Sequence, residues 1–299
     1  MIPYVREIQF EYGRSDQVSP LIRRVVADNP GPFTYVGTGT YIVGSGEVAV
    51  IDPGPADDRH LAALLRAIEG ERLTHILVTH SHLDHSPLSR PLQAAARGAI
   101  YGRSAREHAP VGHDTEEGDD AVFRPDVEVE EGQVFSGSGW TVEAIATPGH
   151  ASNHVAYALR EENALFSGDH VMGWSTTVVT PPDGDMGDYL SSLQRVRERG
   201  FDTLWPTHGP PITEVAPFLD AYRDHRLQRE AQVLAQLAAG RSRIKEMVPE
   251  LYAAVDRRLW PAASMSVWAH LLHLVRTGRV EADGEAGLDS AYRLSARRG

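Results

Sequence analysis

The order of apolar and polar positions gives the chain two textures. Up to about residue 211, short apolar runs are cut by glycine and proline; after Thr213 the pattern is helical, almost without a turn, as far as Gly278. In the first part, residues 41–43 and 48–51 are apolar runs joined by Gly44-Ser-Gly-Glu, which predicts two paired strands. Residues 57–69 carry Leu61, Leu64, Leu65 and Ile68 at three- and four-residue spacing and stop at Gly70, which predicts a helix. Residues 75–78 read as a short buried strand, and residues 87–97 as a helix opened by Pro87. Further strands are predicted at 140–146, 154–159, 164–166 and 201–205, with a helix over 188–199. Such an alternation implies layered α/β architecture. In the second part, helices are predicted over 214–239, 244–255 and 263–276, followed by a strand at 278–280. The acidic stretch 112–120 is predicted to be an exposed loop, and the polar tail beyond Glu281 to lack regular structure.

Composition narrows the chemistry. The 299 residues include no cysteine, which excludes disulfides, thiol nucleophiles, thiolate zinc sites and iron–sulfur clusters. The one lysine, Lys245, follows Ile244, so no Walker P-loop exists. No Gly-x-Ser-x-Gly elbow and no complete Gly-x-Gly-x-x-Gly occurs either. Fourteen histidines are present, so metal chemistry would have to run on imidazole and carboxylate. Residues 1–239 hold 19 basic and 34 acidic side chains, net −15; residues 240–299 hold 10 and 7, net +3. The chain has no apolar run long enough for a membrane span, and its start lacks the basic-then-apolar order of a secretory signal, so a cytoplasmic protein is expected.

The decisive stretch is Thr79-His-Ser-His-Leu-Asp-His85, between a predicted strand and a predicted helix. It puts His80, His82, Asp84 and His85 on a loop at a strand's C-terminal end, where α/β proteins place ligand sites. Three later loops repeat the arrangement: Thr147-Pro-Gly-His150, Ser167-Gly-Asp169 and Thr207-His-Gly209 each follow a predicted strand. Each sets one imidazole or carboxylate beside a glycine that lets backbone approach closely.

These residues resemble the signature of the metallo-β-lactamase superfamily, His-x-His-x-Asp-His followed by a later His, Asp and His. The likeness covers roughly residues 33–211. The stretch running from Asn29-Pro-Gly-Pro-Phe to Tyr-Ile-Val-Gly44, and the helical C-terminal part, resemble the branch called β-lactamase-like protein 2, which is related to glyoxalase II. The resemblance implies an αββα sandwich with a dinuclear site at one edge of its two sheets. It implies that His80, His82 and His150 hold a first Zn2+, that Asp84, His85 and His208 hold a second, and that Asp169 bridges them. Mn or Fe would suit the same ligands. A water shared by two such cations becomes a hydroxide nucleophile, with Asp84 and Asp169 as the catalytic carboxylates. Two departures are visible: Ser86-Pro-Leu88 stands where many members have Gly-Gly, and Gly39 where many have Asn.

Around this set, Asp52, in Ile-Asp-Pro-Gly54, is a candidate to orient a ligand histidine. His154 and His170 are candidates for polar walls, and Tyr41, Met172, Trp174 and Thr176 for shaping the substrate cavity. The expected division is a catalytic domain over 1–212 and a helical, winged-helix-like module over 213–299. Arg257, Arg258, Arg276 and Arg279 give that module a mildly positive face, read first as a packing module that frames the groove and second as a nucleic-acid contact. The expected activity is hydrolysis of a thioester or other small acyl ester. The alternatives are a single-stranded RNA endoribonuclease, a mononuclear iron persulfide dioxygenase, and a non-enzymatic nucleic-acid-binding regulator. The expected partners are accordingly a small acyl substrate or RNA, with no membrane; a homodimer is left open.

Overall fold

A computed structural model describes residues 1–104, 118–254 and 256–296. The first sheet begins with strands β1 (Ser15–Gln17), β2 (Ile22–Val26), β3 (Gly39–Ser45) and β4 (Glu47–Ile51), each antiparallel to the one before. Helix α1 (Asp58–Ala67) crosses to the parallel strand β5 (Arg72–Leu77), and helix α2 (Ser89–Ala96) to β6 (Ala99–Gly102), beside which β7 (Val127–Glu128) closes the sheet. The second sheet is built from β8 (Val134–Gly137), β9 (Trp140–Ala146), β10 (Val155–Leu159), β11 (Ala164–Gly168) and β12 (Thr203–Pro206), in the order β12-β11-β10-β9-β8. Helix α3 (Met186–Arg199) links β11 to β12.

Side-chain alternation explains the layering. Tyr41, Val43, Ala49 and Ile51 point between the sheets and meet Val142, Ala144, Val155, Tyr157 and Phe166. Their neighbours Ile42, Val48 and Val50 point the other way, onto Leu64 of α1 and Leu92 of α2. On the far side, Ile145, Ala156, Ala158, Leu165 and Leu204 are covered by Tyr189 and Leu193 of α3 and by Phe218, Leu219 and Tyr222 of the long helix α4 (Val215–Ala238). The result is the expected helix–sheet–sheet–helix sandwich.

The distal half of α4 enters a separate core. Val233 and Leu237 pack with α5 (Ile244–Leu251), with α6 (Trp260–Arg276) and with the two-stranded sheet of β13 (Val280–Ala282) and β14 (Tyr292–Leu294). The tail expected to lack regular structure therefore supplies a strand. Its signal is weak because only Tyr292 of β14 is buried, while its outer face stays in solvent. β2 gives no strand signal in the sequence because Arg23 and Arg24 interrupt its apolar run; Arg23 reaches out to Glu71, and Arg24 is buried. The short strands β1, β6, β7 and β8 also carried too few apolar positions for a period of two to show. Of the expected acidic loop, residues 112–117 lie outside the described residues; Asp119 forms a bridge to His82. No helix among the described residues is long and apolar enough to cross a membrane.

Candidate metal centre

The four ligand-bearing loops converge because of strand direction. β11 and β12 are parallel to each other, and β9 and β11 both run antiparallel to β10. The C-terminal ends of β9, β11 and β12 thus share one edge, and the end of β5 in the facing sheet meets it. Those four ends carry residues 79–85, His150, Asp169 and His208. All seven expected ligands are buried.

The donor atoms fall into three overlapping groups: His80, His82 and His150; His80, His85 and Asp169; and Asp84, His85 and His208. Within each group they lie no more than 4.8 Å apart. His82 Nδ1 stands 3.0 Å from His80 Nε2 and 3.1 Å from His150 Nε2. In the other half, His208 Nε2 is 2.9 Å and His85 Nε2 3.3 Å from Asp84 Oδ2. Asp169 Oδ1 lies 3.7 Å from His85 Nε2 and 3.5 Å from His208 Nε2, at the junction of the two halves.

Each of these imidazoles is held from behind. His85 Nδ1 donates to Asp52 Oδ2 (2.9 Å), His150 Nδ1 to Val178 O (2.7 Å) and His208 Nδ1 to Gly37 O (3.2 Å). His80 Nδ1 donates to Thr79 Oγ1, which in turn donates to Asp52 Oδ2. His82 is reversed: its Nδ1 faces the group and its Nε2 lies 3.4 Å from Asp119 Oδ1. A proton fixed on the outer nitrogen leaves a lone pair on the inner one, the form a cation needs. Thr79 N and Thr207 Oγ1 also donate to Asp52, so one buried carboxylate braces two of the four loops, 79–85 and 207–209.

Charge divides the centre unevenly. Burial, reinforced by neighbouring imidazoles, keeps His80 far below the usual histidine range and pushes His82 down to about 3. Burial acts the same way on His85 and His208, but the carboxylates of Asp84 and Asp169 outweigh it and draw both upward. Asp84 Oδ1, His85 Nε2, Asp169 Oδ1 and His208 Nε2 are buried and make no hydrogen bond of good geometry among the described residues, although both imidazole nitrogens face Asp84 Oδ2. An unsatisfied buried polar atom costs about 1–3 kcal/mol. Four together, in carboxylate and imidazole only, are what a pair of divalent cations would satisfy.

The remaining candidates sit as follows. His154 lies behind the centre, between Thr147 Oγ1 (2.8 Å) and the amide of Asp169, which donates to its Nε2 (3.2 Å). Gly168 makes that approach possible, since a Cβ there would lie 2.5 Å from His154 Nε2. His170 is fully buried, with its ring 5.0 Å from Tyr189. Tyr41 stands in the core between the sheets, donating to Pro206 O, away from the cleft. Trp174 stacks on Tyr35 at 4.8 Å. The cleft over the ligands is walled by Phe33, Met172 and Val178, with His82, Asp84, His150 and Asp169 at its base. Phe33, Val178, Asp119 and the bracing threonines are site residues that the hydrophobic pattern does not mark. The threonines were findable, since Thr79 and Thr207 each directly precede a ligand histidine.

Comparison with known proteins agrees with this geometry. A family model described as the metallo-beta-lactamase superfamily matches residues 34–208, and one described as the beta-lactamase associated winged helix domain matches residues 244–289. An atrochrysone carboxyl ACP thioesterase of Aspergillus chevalieri is 34% identical over 254 residues, covering 80% of this chain and 75% of that protein. A beta-lactamase-like protein 2 homolog of Caenorhabditis elegans is 33% identical over 230 residues, covering 74% and 72%. Among solved structures, a beta-lactamase domain protein from Burkholderia ambifaria superposes with a TM-score of 0.77 at 20% identity, covering 97% of this chain and 96% of that one. A metallo-beta-lactamase family protein from Thermus thermophilus gives 0.73 at 22%, covering 93% and 100%. Matched over more than half its length by the family model, the chain belongs to the metallo-β-lactamase superfamily.

Proposed function

We propose that this protein is a dinuclear zinc hydrolase acting on thioesters or other small acyl esters. The observation that carries this reading is the pair of ligand trios meeting at Asp169, with four buried polar atoms that make no well-formed hydrogen bond, beneath an apolar-walled cleft. His80, His82 and His150 would hold one cation, Asp84, His85 and His208 the other, and Asp169 both. When bound, two such cations supply an acidified water and a Lewis acid for the acyl oxygen. Phe33, Met172 and Val178 bind the acyl chain and exclude bulk water. Asp84, with Oδ1 unpartnered, takes the proton released as water adds to the carbonyl carbon. It returns that proton to the sulfur as the C–S bond breaks, leaving a carboxylic acid and a thiol. The acidic surface of residues 1–239, net −15, favours such a substrate over a polyanion. Relatives named as acyl-carrier thioesterases support the same choice. In this reading residues 1–212 carry the chemistry and 213–299 the winged-helix module.

The test is a panel of acyl thioesters read by release of free thiol, which has no background from a cysteine-free chain. Thiol release that stops on chelation and returns with zinc is the expected result, with two zinc ions per chain by elemental analysis. Cleavage of single-stranded RNA with no thioesterase activity would move the assignment to a nuclease. One iron per chain with oxygen uptake would move it to a dioxygenase.

A further inference from the structure

The segment between β11 and α3, residues 169–185, has no regular secondary structure, yet it supplies two walls of the cleft, Met172 and Val178. It also supplies Val178 O, the acceptor that orients His150. Its conformation is set from outside by the C-terminal helices. The Tyr222 hydroxyl on α4 accepts from Met172 N (3.3 Å) and is shared between Met172 O (2.6 Å) and Ser175 O. One turn further along α4, Arg226 Nη2 donates to Thr177 O, next to Val178. At the far end of the segment, Arg276 of α6 makes paired bonds of 2.7 and 2.6 Å to Asp185.

Arg226 is the telling residue. It is 5% exposed, its Nε has no hydrogen-bond partner, and no carboxylate among the described residues pairs with it. It also lies over the ring face of Tyr189, 5.0 Å from the centroid. A buried guanidinium without a carboxylate is costly, and an apolar side chain of similar length would fill the space without that penalty. A requirement beyond packing accounts for the arginine, and the carbonyl it holds belongs to the residue before Val178.

We propose that Tyr222 and Arg226 are positioning residues of the metal centre. Through the carbonyls of Met172, Ser175 and Thr177, α4 fixes the cleft wall and, through Val178 O, the orientation of His150. The inference rests on the reading of His150 as a metal ligand. It gives the C-terminal part a defined task in the active site, separate from any contact with nucleic acid.

The test uses Arg226→Met, Arg226→Lys and Tyr222→Phe in the full chain. Zinc affinity is read by competition with a chromophoric chelator, and amide hydrogen exchange over residues 172–179 is read on metal-free protein. Arg226→Met is expected to keep a thermal midpoint close to the parent's. Its zinc affinity should fall 10- to 100-fold, the usual loss when the group orienting a ligand is removed. Its exchange over 172–179 should rise, and Arg226→Lys, which still donates to Thr177 O, should recover most of both. Tyr222→Phe should also raise exchange, since it removes only the hydroxyl. Unchanged exchange in both Arg226→Met and Tyr222→Phe overturns the proposal, as does parental zinc affinity in Arg226→Met. A parent that binds no zinc refutes the hydrolase reading instead, and the exchange measurement still decides whether α4 holds the segment.

Discussion

Replacing Asp52 by Asn tests how the ligands are braced. Asp52 is fully buried and accepts four hydrogen bonds, all between 2.8 and 2.9 Å: from Thr79 N, Thr79 Oγ1, Thr207 Oγ1 and His85 Nδ1. Its φ is +50°, a conformation that Asn adopts more readily than most residues, so the backbone tolerates the change. The new amide oxygen can still accept from Thr79 N. The new NH2 group faces two hydroxyls, which rotate to accept, and His85 Nδ1–H, which cannot. His85 escapes that donor–donor clash only by moving its proton to Nε2, the atom that faces Asp84 and Asp169. The lone pair needed by a cation is then lost. The expected fall in zinc affinity is 10- to 100-fold, about 1.4–2.7 kcal/mol. A stability loss of about 1–3 kcal/mol in the metal-free protein should accompany it, the cost of an unmade bond to a buried group. Chelator competition measures the first and urea unfolding the second. An Asp52→Asn protein that binds zinc within threefold of the parent would refute the bracing argument.

Three further outcomes are expected. Burial resists charge on Asp185, but its paired bonds to Arg276 and the amides of Asp188 and Gly187 outweigh it and hold the carboxyl below its usual value of 3.8. The stabilisation is therefore present above about pH 4 and lost as pH falls further. Asp185→Asn, which keeps the helix cap, should cost up to about 1 kcal/mol at pH 7 for this partly exposed pair, and progressively less as pH falls below about 4; a pH-independent cost by urea unfolding would contradict this. Burial holds His60 down at about 4, against an ordinary 6.5. The unfolded chain thus takes up a proton between pH 6.5 and 4 that the folded chain refuses. His60→Gln should gain on the parent by on the order of 3 kcal/mol over that window; a parent–variant difference equal at pH 7 and pH 4.5 would refute it. Phe33→Ala, at the cleft wall, should raise KM for aromatic or long-chain acyl thioesters roughly tenfold with kcat little changed, since it removes binding common to ground and transition states. A loss confined to kcat would place Phe33 elsewhere in the reaction.

Much of the site was legible because its signals are local. His80, His82, Asp84 and His85 fall within six positions, and His150, Asp169 and His208 each stand just past an apolar run that reads as a strand. Tyr41 misled for the same reason: it belongs to a well-marked strand, but alternation alone does not say which face of β3 meets the other sheet and which approaches the cleft. Phe33 and Val178 lie in irregular segments with no periodicity to place them. The exposed acidic stretch gave no hint that Asp119 would reach His82, since a charge run reads as solvated surface.

The sequence by itself determined the chemistry available. With no cysteine and one lysine, any metal ligands had to be imidazole and carboxylate, and the strand ends set where the candidates stand along the chain. The tertiary structure decided which nitrogen of each histidine faces inward, that one carboxylate braces two of the loops, and that a helix beyond residue 213 holds a wall of the cleft. These depend on sheet pairing and on contacts such as Asp52 with Thr207 and Tyr222 with Met172, spanning 155 and 50 residues. Hydrophobic periodicity reports only a residue's own element. What lies across the interface is fixed when strand direction brings distant ends to one edge and burial leaves each polar group only the few partners within reach.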